Sequence, residues 1–201
     1  MKKLLLLIII SIMFHRFSFG QSAETYFNMG NAKYEQDFSG AIADYNKAIE
    51  LNPKFTKAYY KRSCVKNNLQ DYEGALADIN KAIELAPRDV DAICWRGCVK
   101  LNLKDNRGAI VDFNKAIELA PKYAGGYSHR ATAKCNLEDY RGGIADYGKA
   151  IEFDSKNAEL YRSRGLTKLL LNDKDGACLD FSMAGELGSE QAYNLIKLQC
   201  K

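Results

Sequence analysis

One histidine and several cysteines are the residues of this chain whose types and spacing could do chemistry. Cys94 and Cys98 lie four positions apart, which puts both thiols on one face of a helix. Cys64 and His129 are candidates to join them, because thiolates and an imidazole bind soft metal ions such as zinc or copper. The chain has no CxxC pair, however, and cysteine also fills small gaps in a core. We therefore assign no metal and no cofactor, and keep a metal- or thiol-handling site as an alternative hypothesis.

The sequence contains no motif that is typical of an enzyme active site. After residue 20 the chain has a single histidine, His129, and it has no glycine-rich phosphate loop, GxSxG or HExxH motif. Its carboxylates recur at regular intervals, which is typical of a solvated or structural role. We predict that the protein is not an enzyme and has no catalytic residue.

The elements that must hold these side chains repeat at a fixed interval along the chain. A small residue recurs at Ala41, Ala75, Ala109, Gly143 and Ala177, and an aspartate recurs at Asp44, Asp78, Asp112, Asp146 and Asp180. A fixed period of about 34 residues indicates a solenoid, in which each unit buries its apolar face against its neighbours. Within one unit Ile42, Tyr45 and Ile49 share a helical stripe, and no segment is typical of a β-strand.

The repeated segments resemble tetratricopeptide repeats, whose units are two antiparallel helices with small residues at the crossing and a proline at the exit. The segment from Ala41 to Pro53 recurs with few changes from Ala75 to Pro87. The resemblance implies an all-α fold, an α-solenoid of five helix–turn–helix units within residues 21–188. The units are expected at about residues 22–54, 56–89, 90–123, 124–157 and 158–188, and a C-terminal capping helix is expected at 189–201.

In that family the first helix of each unit lines a concave groove that binds a protein or a peptide. By match, the resemblance implies a groove lined by Phe27, Asn31, Tyr34, Tyr60, Asn67, Asn68, Ser128, Thr132 and Arg162. For Asn68 we favour a role as a left-handed helix C-cap over a role in the groove. The basic clamp of the family's chaperone-type members is not intact, because Phe27 and Lys61 stand where a lysine and an asparagine would be expected.

Two sets of basic residues recur at equivalent positions of successive units, and each set is a candidate for either a structural or a partner-binding role. Arg62, Arg96, Arg130 and Arg164 each precede one of the repeated aspartates by the same interval, as Arg62 precedes Asp78. We favour an ion pair that fixes the helix register over a ladder for acidic partners, because a charge at a packed crossing needs a partner. For the lysine column that includes Lys66 and Lys100, we expect packed stems with ammonium groups in water.

Residues 1–20 have the layout of a secretory signal peptide. Lys2 and Lys3 precede an apolar run from Leu4 to Phe14, which is shorter than the ~20 residues that span a membrane. We predict an exported, periplasmic or secreted protein, with an uncleaved membrane anchor as the alternative. Cleavage would remove Lys2, Lys3 and Arg16 and leave 26 Lys and Arg against 25 Asp and Glu, a net charge of +1 instead of +4. This balance argues against a nucleic-acid partner and against membrane insertion after cleavage.

Two cysteines near the C-terminus are candidates for a disulfide. If the helices on either side of Gly188 are antiparallel, Cys178 and Cys200 lie at similar heights above the turn. Ser189 is a plausible N-cap of the second of these helices. An exported chain permits such a bridge, which would attach the cap to the last unit.

Three hypotheses for the function follow from these observations. The leading one is an exported scaffold or adaptor that binds a protein or peptide of unknown identity in its groove. The second is a metal- or thiol-handling envelope protein that uses Cys64, Cys94, Cys98 and His129. The third is a structural component of an envelope assembly. The sequence does not determine the oligomeric state.

Overall fold

The computed structural model describes residues 22–200, which form eleven α-helices and no β-strand. The helices are α1 Ala23–Lys33, α2 Phe38–Leu51, α3 Thr56–Asn68, α4 Tyr72–Leu85, α5 Val90–Asn102, α6 Asn106–Leu119, α7 Ala124–Asn136, α8 Tyr140–Phe153, α9 Ala158–Leu170, α10 Lys174–Glu186 and α11 Glu190–Gln199. Each helix packs against its neighbours in the sequence, and α5 also contacts α7. The predicted all-α solenoid of five helix pairs and a final helix is confirmed. The predicted signal peptide at residues 1–20 lies outside the described residues, as does Lys201.

Small residues in the first helices make room for large residues of the second helices. A Cβ added to Gly97 would lie 2.4 Å from Cε1 of Phe113, which is completely buried. The same close approach joins Gly30 to Tyr45 and Gly165 to Phe181. The core of each of these units is therefore a crossing at which one helix lacks a side chain and the other inserts a ring.

An arginine, a lysine and a buried aspartate connect the two helices of units two to five. In the second unit Arg62 donates hydrogen bonds to both carboxylate oxygens of Asp78, at 2.8 and 2.5 Å. A third bond, 2.6 Å long, runs from Arg62 to Asn46 of the preceding unit. The predicted pairing is confirmed, and it recurs at Arg96–Asp112, Arg130–Asp146 and Arg164–Asp180.

The lysine column behaves differently from the expectation of solvated ammonium groups. Nζ of Lys66 lies 2.8 Å from Asp78, and its side chain is only 21% exposed. The same ion pair recurs at Lys100–Asp112, Lys134–Asp146 and Lys168–Asp180. The expectation was wrong because a buried carboxylate has two oxygens and takes two cationic partners. Burial opposes ionisation of Asp146, but its bonds to Arg130 and Lys134 prevail and lower its pKa.

In the first unit Met29 stands in place of the arginine, and the carboxylate of Asp44 has a lysine as its partner instead. Lys33 Nζ lies 2.7 Å from Oδ2 of Asp44, although the two groups are not aligned as a hydrogen bond. Asp44 is thus paired with a lysine of its own unit.

The ends of the first helices correct the C-cap interpretation of Asn68. Asn68 is the last helical residue of α3, and the left-handed residue is Gln70, with φ of 63°. The N–H of Asp71 bonds to the carbonyl of Lys66, and that of Gln70 bonds to Asn67, which is a Schellman motif. Asn68 therefore has its side chain free for a contact with another unit.

The final helix covers the apolar end of the array and is joined to it covalently. Ser189 accepts a hydrogen bond from the N–H of Ala192, so its predicted role as an N-cap is confirmed. Cys178 in α10 and Cys200 after α11 form a disulfide, with Cα atoms 5.7 Å apart. Leu195 and Ile196 pack against the core of the fifth unit. The bridge thus closes the end at which the solenoid would otherwise expose its core.

Replacing Cys178 by Ser is expected to loosen α11 rather than the rest of the array. The bridge links two cysteines with a sequence separation of 22. By closing this loop it lowers the conformational entropy of the unfolded segment and stabilises the folded one by about 3 kcal/mol. This corresponds to amide exchange in α11 that is about 100-fold faster. Hydrogen exchange measured by mass spectrometry would test it, with α1 to α3 of the same sample as the internal control. Alkylation of both thiols in the untreated native protein would contradict the bridge.

Candidate functional site

A cavity of about 220 Å³ lies among α1, α3 and α5, on the first-helix side of units one to three. Its lining residues are Phe27, Thr56, Lys57, Tyr60, Lys61, Asp89 and Asp91. Phe27 is only 8% exposed and packs on Tyr45 and Phe55, so it belongs mainly to the core and offers one edge to the cavity. The wall is accordingly aromatic on one side, with two lysines and two aspartates at the rim.

Tyr60 is the main aromatic side chain of this first cavity. Its ring lies 6.3 Å from that of Trp95 in the next unit, at an interplanar angle of 52°. The indole N–H of Trp95 in turn donates a 3.0 Å hydrogen bond to Ser63. Burial raises the pKa of Tyr60 further above physiological pH, where a tyrosine hydroxyl is already protonated and can donate a hydrogen bond.

A second cavity, of about 260 Å³, adjoins the first one through Lys61. It is lined by Asn31, Ala32, Tyr34, Glu35, Gln36 and Lys61. The ammonium group of Lys61 lies 5.6 Å from the centre of the Tyr34 ring. Lys61, which the sequence analysis assigned to no role, is therefore the residue that the two cavities share. Its signals in the sequence were its position directly after Tyr60 on α3 and its match to a position of the family's chaperone-type clamp.

Asparagines beside these cavities form hydrogen bonds both between neighbouring units and within one unit. Asn68 donates to the Tyr34 hydroxyl at 3.3 Å, and Asn102 donates to the side-chain oxygen of Asn67 at 2.7 Å. Asn31 accepts a 2.9 Å bond from the Tyr45 hydroxyl. Asn31 and Asn68 remain exposed, so both have further hydrogen-bonding capacity for a ligand.

Ser128 and Thr132 lie apart from this group, in a third cavity of about 400 Å³. Its lining residues are Gly125, Ser128, His129, Thr132, Tyr147, Asn157, Glu159, Leu160 and Ser163. Thr132 bonds to the Tyr147 hydroxyl at 3.1 Å. Arg162 does not line this cavity and forms an ion pair with Glu159, which does. Ser128 and Thr132 thus line a different cavity from the predicted groove residues of α1 and α3, and Arg162 is engaged within its own helix.

Three of the four candidate metal ligands come together in the structure. The Sγ atoms of Cys94 and Cys98 and a ring nitrogen of His129 all lie within 4.8 Å of one another. Cys64 is not part of this cluster, and burial raises the pKa of its thiol to about 11. The repeat period places Cys64 and Cys98 at equivalent positions of successive units, but only Cys98 faces a histidine of the following unit.

The environment of this cluster favours the neutral imidazole and couples the ionisation of the two thiols. Burial lowers the pKa of His129. The Cys98 thiol lowers the pKa of Cys94 against the effect of burial, and the same contact together with burial raises the pKa of Cys98. The two thiols therefore do not ionise independently. Cys135 lies elsewhere, next to Thr167 and in the space left by Gly143.

The repeated helix pairs of this structure correspond to repeats that are known in other protein sequences. Residues 20–55, 56–89 and 90–123 match the profile of the tetratricopeptide repeat, and together they make up more than half of the chain. The chain belongs to the tetratricopeptide repeat family. Units four and five lie outside the matched residues, yet α7 to α10 repeat the helix lengths and the Arg–Asp–Lys contacts of the earlier units. No curated protein matches the chain.

Solved tetratricopeptide repeat structures share this architecture at low sequence identity. MamA from Desulfovibrio magneticus RS-1 is 22% identical, with a TM-score of 0.73 over 85% of this chain and 97% of that one. YrrB, described as having an unusual peptide-binding site, is 21% identical with a TM-score of 0.66, over 88% and 92% of the two chains. PilW, described as a type IV pilus biogenesis factor, is 16% identical with a TM-score of 0.77, over 84% and 78%. These likenesses show the fold.

None of the helices within residues 22–200 has both the length and the apolar character needed to cross a membrane.

Proposed function

We propose that this protein is an exported tetratricopeptide repeat scaffold that binds a protein or a peptide in a concave groove formed by its first helices. The observation that carries the proposal is the position of Lys61 between two adjoining cavities, one aromatic and one polar. Together these cavities offer an apolar contact, a cation and exposed amides within one short stretch of surface. This combination suits an extended segment of polypeptide.

The chemistry of the two cavities indicates how such a segment would bind. An apolar or aromatic side chain would pack on Tyr60, and the exposed amides of Asn31 and Asn68 would bond to its backbone. The two lysines at the rim, at positions 57 and 61, are balanced by Asp89 and Asp91. Recognition would therefore rest on shape and hydrogen bonds rather than on the net charge of the ligand, in agreement with a net charge of +1 after signal cleavage.

The proposal of export rests on residues 1–20 and on the cysteines. Two lysines followed by the apolar run from Leu4 to Phe14 are typical of a signal peptide, and a Cys178–Cys200 bridge suits an oxidising compartment. PilW, which shares the fold, is described as a type IV pilus biogenesis factor. We infer a periplasmic or secreted location, with a protein or peptide as the partner and with no catalytic activity.

Replacing Tyr60 and Asn68 together by Ala is expected to weaken partner binding by at least about 30-fold. The reason is that a half-buried aromatic residue at the centre of an interface commonly contributes about 2 kcal/mol or more. Purified protein and the double variant would be used in parallel to capture partners from envelope extract. The affinity of the captured partner would then be measured by calorimetry.

The matched control for this experiment is Lys47→Ala with Glu50→Ala. These two residues form an exposed 2.8 Å ion pair on a second helix, and we expect the binding affinity of this variant to be unchanged. Thermal unfolding of all three proteins would show whether Tyr60→Ala has damaged the fold. Equal retention of the partner by both variants would contradict binding in the groove. It would favour a structural component that docks through the second helices or through the C-terminal capping helix.

A further inference from the structure

We propose that Cys94, Cys98 and His129 bind one thiophilic d10 metal ion, and we favour Zn(II) over Cu(I). The proposal goes beyond protein binding and does not depend on the groove, because it rests on a different set of residues. Two thiolates and an imidazole are the donors that such an ion prefers.

The spacing of the donor atoms is close to that of a real metal site. Zinc bonds of about 2.3 Å to sulfur and about 2.0–2.1 Å to nitrogen place tetrahedral ligand atoms roughly 3.5–3.8 Å apart. The three donors already lie within 4.8 Å of one another. Each side chain must therefore move by less than about 1 Å, which side-chain torsions can provide without a change of the backbone.

Rigid elements hold the three ligands in this position. Cys94 and Cys98 are one turn apart on α5, and His129 is on α7, which contacts α5 directly. The imidazole stacks on the buried ring of Phe113, with ring centres 5.7 Å apart and an interplanar angle of 28°. This contact fixes the plane of the imidazole and leaves its nitrogens at the ring edge for a ligand.

The ring nitrogens of His129 are available to a ligand. Within residues 22–200, no group donates a hydrogen bond to its ring nitrogens or accepts one from them. In the part of the chain that the structure describes, the one buried side-chain oxygen or nitrogen without a hydrogen-bond partner is Oδ2 of Asp44, so the ring nitrogens of His129 are accessible rather than sealed in the core. A metal ion would use one of the two nitrogens.

The net charge of the occupied site distinguishes between the two ions. Binding releases the protons of both thiols, so that Zn(II) gives a neutral site and Cu(I) gives a site with a net charge of −1. A neutral site is favoured here because Cys94 is only 3% exposed. The cavity of about 400 Å³ is lined by His129 but by neither cysteine, so an ion would enter from the histidine side, and a water molecule would be the fourth ligand of a tetrahedral site.

The test uses the purified protein with the Cys178–Cys200 bridge intact and its four other cysteines reduced. Co(II), a spectroscopic substitute for Zn(II), is expected to bind at one equivalent with a thiolate-to-metal charge-transfer band, which added Zn(II) removes. Cys98→Ser and His129→Phe are each expected to weaken Zn(II) binding by more than about 100-fold, measured against a chromophoric chelator. The phenyl ring of the second variant can stack on Phe113, so the packing is retained while the donor is lost.

Cys135→Ser serves as the matched control, because it removes a free thiol on the same helix as His129 but keeps a contact with Thr167. We expect this variant to bind one equivalent of Zn(II) with unchanged affinity. Absence of stoichiometric binding by the parent protein, or an unchanged band in Cys98→Ser, would overturn the site. Binding of Cu(I) but not of Zn(II), lost in the same two variants, would retain the site and overturn the choice of ion.

Discussion

Phe113→Ala is expected to lower the free energy of unfolding by about 3–5 kcal/mol. Phe113 is completely buried at the central crossing of the array, where Gly97 offers no side chain that could fill the space. Because the third unit packs on two neighbours, a cavity there weakens both interfaces. Urea denaturation followed by helical circular dichroism and by the fluorescence of Trp95, the single tryptophan, would measure the loss.

Val111→Ala on the same helix is the control for this substitution. Val111 is 65% exposed, and its truncation is expected to change the free energy of unfolding by no more than about 0.5 kcal/mol. A loss below about 1 kcal/mol for Phe113→Ala would mean that α5 and α6 close over the cavity, in contradiction to a rigid crossing.

Asp112→Ala is expected to destabilise the protein by about 3 kcal/mol. The carboxylate of Asp112 is 2% exposed and pairs with Arg96 at 2.5 Å and with Lys100 at 2.7 Å. Removing it leaves two cations at a packed crossing without their common partner. We place the effect at the lower end of the range for buried ion pairs because both cationic side chains are at least 20% exposed and can turn toward water. The same urea denaturation would measure it.

Glu118→Ala is the control for Asp112→Ala, because it removes an exposed carboxylate instead of a buried one from the same helix. Glu118 pairs with Lys115 at 2.8 Å, but its side chain is 67% exposed, so the expected cost is below about 1 kcal/mol. If Asp112→Ala and Glu118→Ala destabilise equally, the repeated arginine–aspartate–lysine contacts do not hold the helix pairs together.

The repeat period predicted the fold because a solenoid is built from local contacts. The residues that recur once in every unit, such as Asp78 and Asp112, occupy equivalent places in successive units. Their partners are therefore equivalent too, and the arginine pairing could be inferred from a constant offset along the sequence. The lysines at positions 66 and 100 were misjudged because the sequence gives the offset between two residues but not the direction of a long, flexible side chain.

The candidate sites depend on residues that do not recur in every unit, and the roles of these residues were predicted less well from the sequence. Cys64 and Cys98 are equivalent by period, but only Cys98 meets an imidazole, since His129 occurs in just one unit. Lys61 was considered only as a departure from the chaperone-type clamp, because its position between two cavities is set by the tertiary structure. Arg162 and Thr132 were grouped by helix position, although Glu159 engages the arginine within α9.

The sequence by itself determined the class of the fold, the number of helix pairs and the arginine–aspartate contact of units two to five. These features follow from periodicity, which relates each residue to its equivalents through the same local geometry. Only the tertiary structure decided which side chains of different units meet: Tyr34 with Asn68, Tyr60 with Trp95, and the two thiols of α5 with the imidazole of α7. The physical reason is that contacts between units depend on the rotation from one unit to the next and on side-chain torsions, and neither is encoded in the spacing of residue types along the chain.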